Sequence, residues 1–153
     1  MYEESIRTPL IVYDPRHNSN HCGRVRKEMT LNIDIAPTIM DLAGIEIPAH
    51  IQGRSLLSLL QDGGDSWRDA WFYQHYAYGR DPNARVYIPQ SEGIRTDHWK
   101  YIRYAGKSPV YEQLFDLKND PHETKNLVFL FEYQNILEQM RDRYVLLKKE
   151  ATQ

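Results

Sequence analysis

The stretch from Ser91 to Leu127, SEGIRTDHWKYIRYAGKSPVYEQLFDLKNDPHETKNL, most narrowly limits what this chain can fold into. Glu92 to Thr96 and Trp99 to Tyr104 are short runs of strand-favouring residues separated only by Asp97-His98, so the spacing predicts a hairpin. Gly106 to Pro109 turns the chain into a third run, Tyr111 to Leu117, and Lys118-Asn119-Asp120-Pro121 reads as a turn closed by Asn and Asp side chains onto backbone. Upstream, Trp67 to Tyr78 sets Trp71, Tyr73, His75 and Ala77 against Phe72, Gln74, Tyr76 and Tyr78, an alternation that a strand produces, and Gly79 to Pro89 follows as a loop. Four strands in this arrangement predict an antiparallel meander. From Phe131 to Glu150, Tyr133, Ile136, Leu137, Met140, Tyr144 and Leu147 share one face, with Glu138, Arg141, Asp142, Lys148 and Lys149 opposite. That pattern predicts a long amphipathic helix covering one side of the sheet.

The first half has a different character. Pro9 to Tyr13, PLIVY, is a continuous apolar run closed by Asp14-Pro15 and reads as a buried strand. Arg16 to Thr30 is polar and unpatterned, a loop. In Leu31 to Ile45, Ile35, Ile39 and Leu42 recur at helical spacing, Asp34 is placed to cap, Pro37 falls in the first turn and Gly44 stops the helix. Ser55 is placed to cap a second short helix carrying Leu56, Leu57, Leu59 and Leu60 and ended by Gly63-Gly64. Asp62-Gly63-Gly64-Asp65-Ser66 is the natural boundary, since composition shifts there from aliphatic to aromatic.

Charge and composition exclude several partners. A net charge of −2 with acids and bases interspersed leaves no basic footprint for nucleic acid and no polybasic membrane patch. No apolar run has the length of a membrane span, and Met1-Tyr2-Glu3-Glu4 is not the start of a signal peptide, so the chain is expected to be soluble and without an address. The single Cys22 rules out an internal disulfide but does not mark a compartment.

Few residues group as chemistry requires. Cys22, between His21 and Gly23-Arg24, lacks any element that would present it, so an ordinary surface thiol is the simpler reading. His17 and His21 stand four apart, but Asn18-Ser19-Asn20 between them argues against the helix that would make them a metal pair. Asp116, Asp120 and Glu123 lack the spacing and glycine of a calcium loop. Neither a phosphate-cradling loop nor a serine nucleophile elbow is present. Neither a catalytic residue nor a metal ligand is therefore assigned, and no cofactor is expected in this chain.

A family resemblance runs through the chain. Tyr2-Glu3-Glu4-Ser5-Ile6-Arg7-Thr8-Pro9-Leu10-Ile11 resembles the sulfatase segment that follows an active-site lysine. Asn32 to Thr38 with Asp41 to Ile45, and then Gln52 to Leu57, are similar to the two helices that come next in that family. Glu92 to Thr96, Trp99 to Ile102 and Leu114 to Glu123 resemble its C-terminal strands and closing turn. The matches occur in the family's order and cover nearly the whole chain.

The resemblance implies an α+β piece with an α/β remnant, the C-terminal part of an alkaline-phosphatase-like fold. It divides the chain into residues 1–66, the end of the catalytic α/β domain, and residues 67–153, the C-terminal subdomain. It further implies that a full-length relative hydrolyses sulfate esters, expectedly of sulfated glycans, using calcium and a formylglycine made from Cys or Ser. A periplasmic or secreted location is compatible with it. The family's Cys/Ser-x-Pro-x-Arg motif is not matched by Cys22-Gly23-Arg24-Val25-Arg26, which has no proline, so this chain alone is expected to be inactive.

Four residues stand out as contacts for a sulfated sugar, and each has a plain structural alternative. His75 is placed to donate to a hydroxyl or sulfate oxygen, or simply to sit in a Tyr-rich sheet. Arg95 and Lys100 suit an anion, or cross-strand pairing with Glu92 or Asp97. Trp99 suits a sugar face, or the core beneath the helix. Arg7, beside Glu3 and Glu4, reads as a structural salt bridge. The rival to a sulfatase portion is a stand-alone carbohydrate-binding or interaction module. A remnant of a truncated frame is the other, and it predicts exposed apolar residues on the first half and self-association through them.

Overall fold

The computed structural model describes residues 2–15, 23–61, 66–76 and 89–152. Cys22, the His17 and His21 pair, the Asp62 to Asp65 part of the boundary and the loop from Gly79 to Ile88 lie outside the described residues. The chain divides into two compact units, Met1–Thr8 with Asp69–Gln153, and Pro9–Arg68. The first eight residues therefore pack with the sheet.

In the sheet unit, β1 (Ala70–His75), β2 (Ser91–Thr96), β3 (Trp99–Tyr104) and β4 (Tyr111–Asp116) form the antiparallel meander in the order β1-β2-β3-β4. β1 starts later than its aromatic run suggests, because Trp67 donates its indole N–H to the Met29 carbonyl, 2.7 Å away, and Ala77 and Tyr78 at the end of that run lie outside the described residues. Register sets the faces: Phe72 opposes Ile94, Ile94 opposes Tyr101, and Tyr101 opposes Leu114. These four line the face covered by α4 (Gln134–Ala151), which a single 3₁₀ turn, Phe131–Tyr133, precedes. Leu137, Met140 and Tyr144, spaced three and four apart, are the buried stripe of α4. Each fully buried apolar side chain of this kind contributes about 1.5–3 kcal/mol.

Polar bonds hold the helix in register with the sheet. Arg141 forks onto Glu112 at 2.9 and 2.5 Å, and the Tyr101 hydroxyl donates to the same carboxylate. One helical step further, Tyr144 and Lys148 both donate to Glu92 of β2. Lys148 and Lys149 also complement the C-terminal end of the helix dipole.

The unit Pro9–Arg68 is organised by a buried acid. Asp34, fully buried, receives a two-pronged bond from Arg68 at 2.5 and 2.7 Å and the backbone N–H groups of Leu31 and Arg54. It ends a 3₁₀ turn, Asn32–Asp34, that leads into α2 (Ile35–Leu42), and its side chain anchors surrounding backbone and Arg68 without capping α2. Gly53 packs so close to Ile33 that a Cβ would lie 1.9 Å from the Ile33 carbonyl oxygen, which explains the glycine there. Gly44, at φ +68°, stops α2 as the sequence predicts. The leucine-rich helix shrinks to one turn, α3 (Leu57–Leu60), with Ser55 Oγ accepting the Leu57 N–H.

The PLIVY run is not a strand here. Residues 9–13 belong to no helix or strand, and Ile11 and Tyr13 are 89% and 84% exposed. A buried strand needs a ladder partner on at least one edge, and no described residue of this chain supplies one. Ile35 and Ile39, the helical repeat of α2, likewise face outward, while Pro37 and Thr38 are buried.

Candidate functional site

The sheet face away from α4 gathers most of the chain's sequence candidates. Trp71, Tyr73 and His75 of β1 share it with Gly93 and Arg95 of β2, Lys100, Ile102 and Tyr104 of β3, and Gln113 and Phe115 of β4, as the register requires. α1 (Glu3–Ile6) lies over this face: the Tyr2 ring meets Phe115 edge-on at 5.8 Å, and the Gln113 amide donates to the Tyr2 hydroxyl at 3.1 Å.

At its centre Lys100 is fully buried, its ammonium 2.7 Å from Glu3 Oε1 and 2.8 Å from Glu123 Oε1. The Glu3 backbone N–H donates to the other oxygen of Glu123, at 2.5 Å. Arg95 reaches the second oxygen of Glu3 at 3.4 Å and touches Asp97 at 4.0 Å. Two cations thus face two carboxylates with little solvent, an arrangement that holds only while both signs are present. Burial by itself would raise the Glu3 carboxyl, but the Lys100 hydrogen bond and the charges of Lys100 and Arg95 hold it below the usual carboxylate range.

The closing turn delivers Glu123 to this cluster. Asp116 accepts the N–H groups of Lys118 and Asn119, the Asn119 amide and His98, while Asp120 accepts from Thr124 and Lys125. The acids of this turn are engaged in shaping backbone, and Glu123 leaves it at φ +54°, a left-handed conformation that a glutamate adopts only when its surroundings demand it. Gly93 is equally dictated, since a Cβ would lie 2.3 Å from the Tyr101 carbonyl oxygen and 2.7 Å from the Tyr73 hydroxyl that crosses over it. The Tyr73 hydroxyl is buried without a hydrogen-bond partner among the described residues, and burial, then the Glu123 charge, push its pKa well above the ordinary phenol range.

The structure brings His75, Arg95 and Lys100 onto one face and Trp99 onto the other. His75 is partly buried at the end of β1, its Nε2 buried and without a partner among the described residues. Trp99 stacks on His98 at 4.4 Å and meets Tyr133 edge-on at 5.9 Å, packing against the helix-side core. The partners of Lys100 are Glu3 and Glu123, while Glu92 of β2 accepts from Tyr144 and Lys148 of α4 and Asp97 lies 4.0 Å from Arg95. Arg7 makes no ion pair among the described residues, because Glu3 turns to Lys100 and Arg95. Glu3 and Glu123 escape a sequence reading because they come from the two ends of the fold. Their signal is a lysine that alternates with Ile102 and stands opposite Phe115 in the strand register.

Among the described residues, no three His, Cys, Asp or Glu converge as a metal site. The buried carboxylates of Glu3 and Glu123 are already engaged by Lys100 and Arg95, so these residues do not fit a calcium ion.

Comparison with known proteins concerns the chain as a whole. Residues 1–150 match the family described as N-sulphoglucosamine sulphohydrolase, C-terminal. The chain is 35% identical over 136 residues to N-acetylglucosamine-6-O-sulfatase of Bacteroides thetaiotaomicron, covering 87% of this chain and 23% of that protein. Among solved structures it resembles BT4656 in complex with its substrate D-glucosamine-2-N,6-O-disulfate, at a TM-score of 0.67 and 31% identity over 76% of this chain and 23% of that one. It also resembles the phosphonate monoester hydrolase of Agrobacterium radiobacter, at a TM-score of 0.70 and 25% identity over 85% and 27%. The chain therefore spans about a quarter of the length of these relatives.

Proposed function

Because this chain belongs to the sulfatases, in the family of N-sulphoglucosamine sulphohydrolase C-terminal regions, we propose that it serves as the C-terminal portion of an enzyme that hydrolyses sulfate esters of sulfated glycans, and that it is inactive alone. The observation that carries this reading is the match across residues 1–150 to a C-terminal family, by a chain that spans about a quarter of the length of its relatives. A neighbour solved with a disulfated glucosamine supports sulfated hexosamine as the substrate class.

In this proposal calcium and formylglycine belong to a catalytic part outside these residues. Calcium would supply charge stabilisation of the sulfuryl group there, and this chain's residues take no step through it. In place of the expected division at residue 66, residues 9–68 complete the catalytic domain, and residues 69–153 form the accessory subdomain, to which α1 is strapped by Lys100. The exposed Ile11, Tyr13, Ile35 and Ile39 fit an interface with that catalytic part. Of the four sequence candidates, His75 and Arg95 keep a substrate-contact role, both lying on the α1 side with polar atoms only partly engaged. Lys100 positions α1, and Trp99 positions the Asp97-His98 turn.

The test pairs two measurements. The purified chain with calcium and a chromogenic aryl sulfate is expected to give no turnover, whereas a complete enzyme ending in these residues desulfates a sulfated glucosamine. Turnover by the chain alone would overturn the assignment, and so would undiminished turnover by the complete enzyme after deletion of residues 69–153.

A further inference from the structure

On the helix side of the sheet, the end of β3, the β3–β4 turn and the last turns of α4 enclose a pocket of about 250 Å³, lined by Glu92, Arg103, Gly106, Lys107, Tyr144 and Lys148 among others. Three cations face one carboxylate in it. That carboxylate is fully engaged, since Glu92 accepts from Tyr76, Tyr144 and Lys148. Arg103 lies between Glu92 and Glu112 in the strand register, yet Glu112 is forked by Arg141 and Glu92 is held by Lys148. Arg103 and Lys107 form no ion pair among the described residues, the Arg103 charge reaching Glu112 only as a longer-range attraction, and both are exposed. A concave site whose acids are already satisfied, with a guanidinium and an ammonium left over, attracts an anion, and a guanidinium fork matches the oxygens of a sulfate or phosphate group.

We propose that this pocket is a binding subsite for the sulfate group of a sulfated hexosamine, with Arg103 as the bidentate donor, Lys107 as a second positive charge and Lys148 fixed behind them by Glu92. The hexosamine part rests on the sulfated-glycan reading above, whereas the anion part rests on this charge arrangement alone. Arg103 is carried on β3 and Lys148 on α4, while Lys107 comes from the turn between β3 and β4.

The ¹⁵N-labelled full chain is titrated at constant ionic strength with glucosamine 6-sulfate, with glucosamine and with sodium sulfate, following the amides of Gly106 and Lys107. Saturable shifts are expected with glucosamine 6-sulfate and not with glucosamine. Affinity should fall about tenfold in the Arg103→Ala/Lys107→Ala variant and persist in Lys149→Ala, which removes a charge from α4 outside the pocket. Arg103→Gln/Lys107→Gln serves if the alanine variant melts early. No saturation with either anion, or equal losses in the pocket and Lys149 variants, overturns the site. Saturation by inorganic sulfate with no binding of the sugar sulfate overturns the hexosamine assignment, and with it the glycan reading at this pocket, while the anion site stands.

Discussion

Lys100 shows how a residue's type can mislead until its neighbours are known. A lysine on a strand beside Trp99 invites a ligand, but its ammonium lies 2.7 and 2.8 Å from two carboxylates and has no exposed surface. Removing one partner of such a buried cluster leaves uncompensated charge, so Lys100→Met should destabilise the sheet unit by about 3–5 kcal/mol. A solvated lysine at the same position would change stability by no more than about 0.5 kcal/mol, and urea unfolding separates the two cases. The pH dependence follows from Glu3. Its folded pKa lies below the usual carboxylate value of 4.5, so its contribution is present above that value and lost as pH falls through the depressed folded value. Denaturation midpoints should therefore drop as pH falls below 4.5, and Glu3→Gln, already without the charge, should start lower and lose less over the same range.

The secondary elements divide the sheet's two faces between different kinds of cohesion. The α4 side is mainly apolar with two polar ties at its rim, Arg141 to Glu112 and Lys148 to Glu92. The α1 side is held by ions and aromatic edges, because a four-residue helix buries too little apolar surface to stay docked by packing alone. Leu137→Ala, at 1% exposure in the middle of α4, should cost about 2–5 kcal/mol by thermal or urea unfolding. Val145→Ala on the same helix, 64% exposed, should stay within about 0.5 kcal/mol. In β2, Gly93→Ala should cost about 1–3 kcal/mol, since the obstructing atom is the Tyr101 backbone oxygen, which cannot swing aside.

For the whole molecule, apolar residues of the unit Pro9–Arg68 face solvent. Ile11, Tyr13, Val25 and Ile39 are each more than half exposed, while its buried interior is built on the Asp34–Arg68 bond as much as on Leu56 and Leu59. Such a surface is expected to associate when left uncovered. Sedimentation velocity on the isolated chain should show mass rising with concentration, and Ile11→Ser/Ile39→Ser should return it toward monomer. A strictly monomeric wild-type chain at high concentration would remove the support these residues lend to an interface with a catalytic part.

The amino-acid sequence by itself determined the meander, the covering helix and the sulfatase membership. Alternation of side chains, turn residues such as Asp97-His98 and Gly106, and the stripe of Leu137, Met140 and Tyr144 are local patterns that need no distant partner to be read. The family segments are local in the same sense. Only the tertiary structure decided that Trp99 faces the helix while His75, Arg95 and Lys100 face α1, because pleat parity says which residues share a face but not what will cover it. It also decided that Glu3 and Glu123 meet on Lys100, a contact between the first turn of the chain and its closing loop that no spacing encodes. The PLIVY run marks the same limit from the other side: its apolar residues announce burial, yet burial requires a neighbouring strand, and no described residue of this chain provides it.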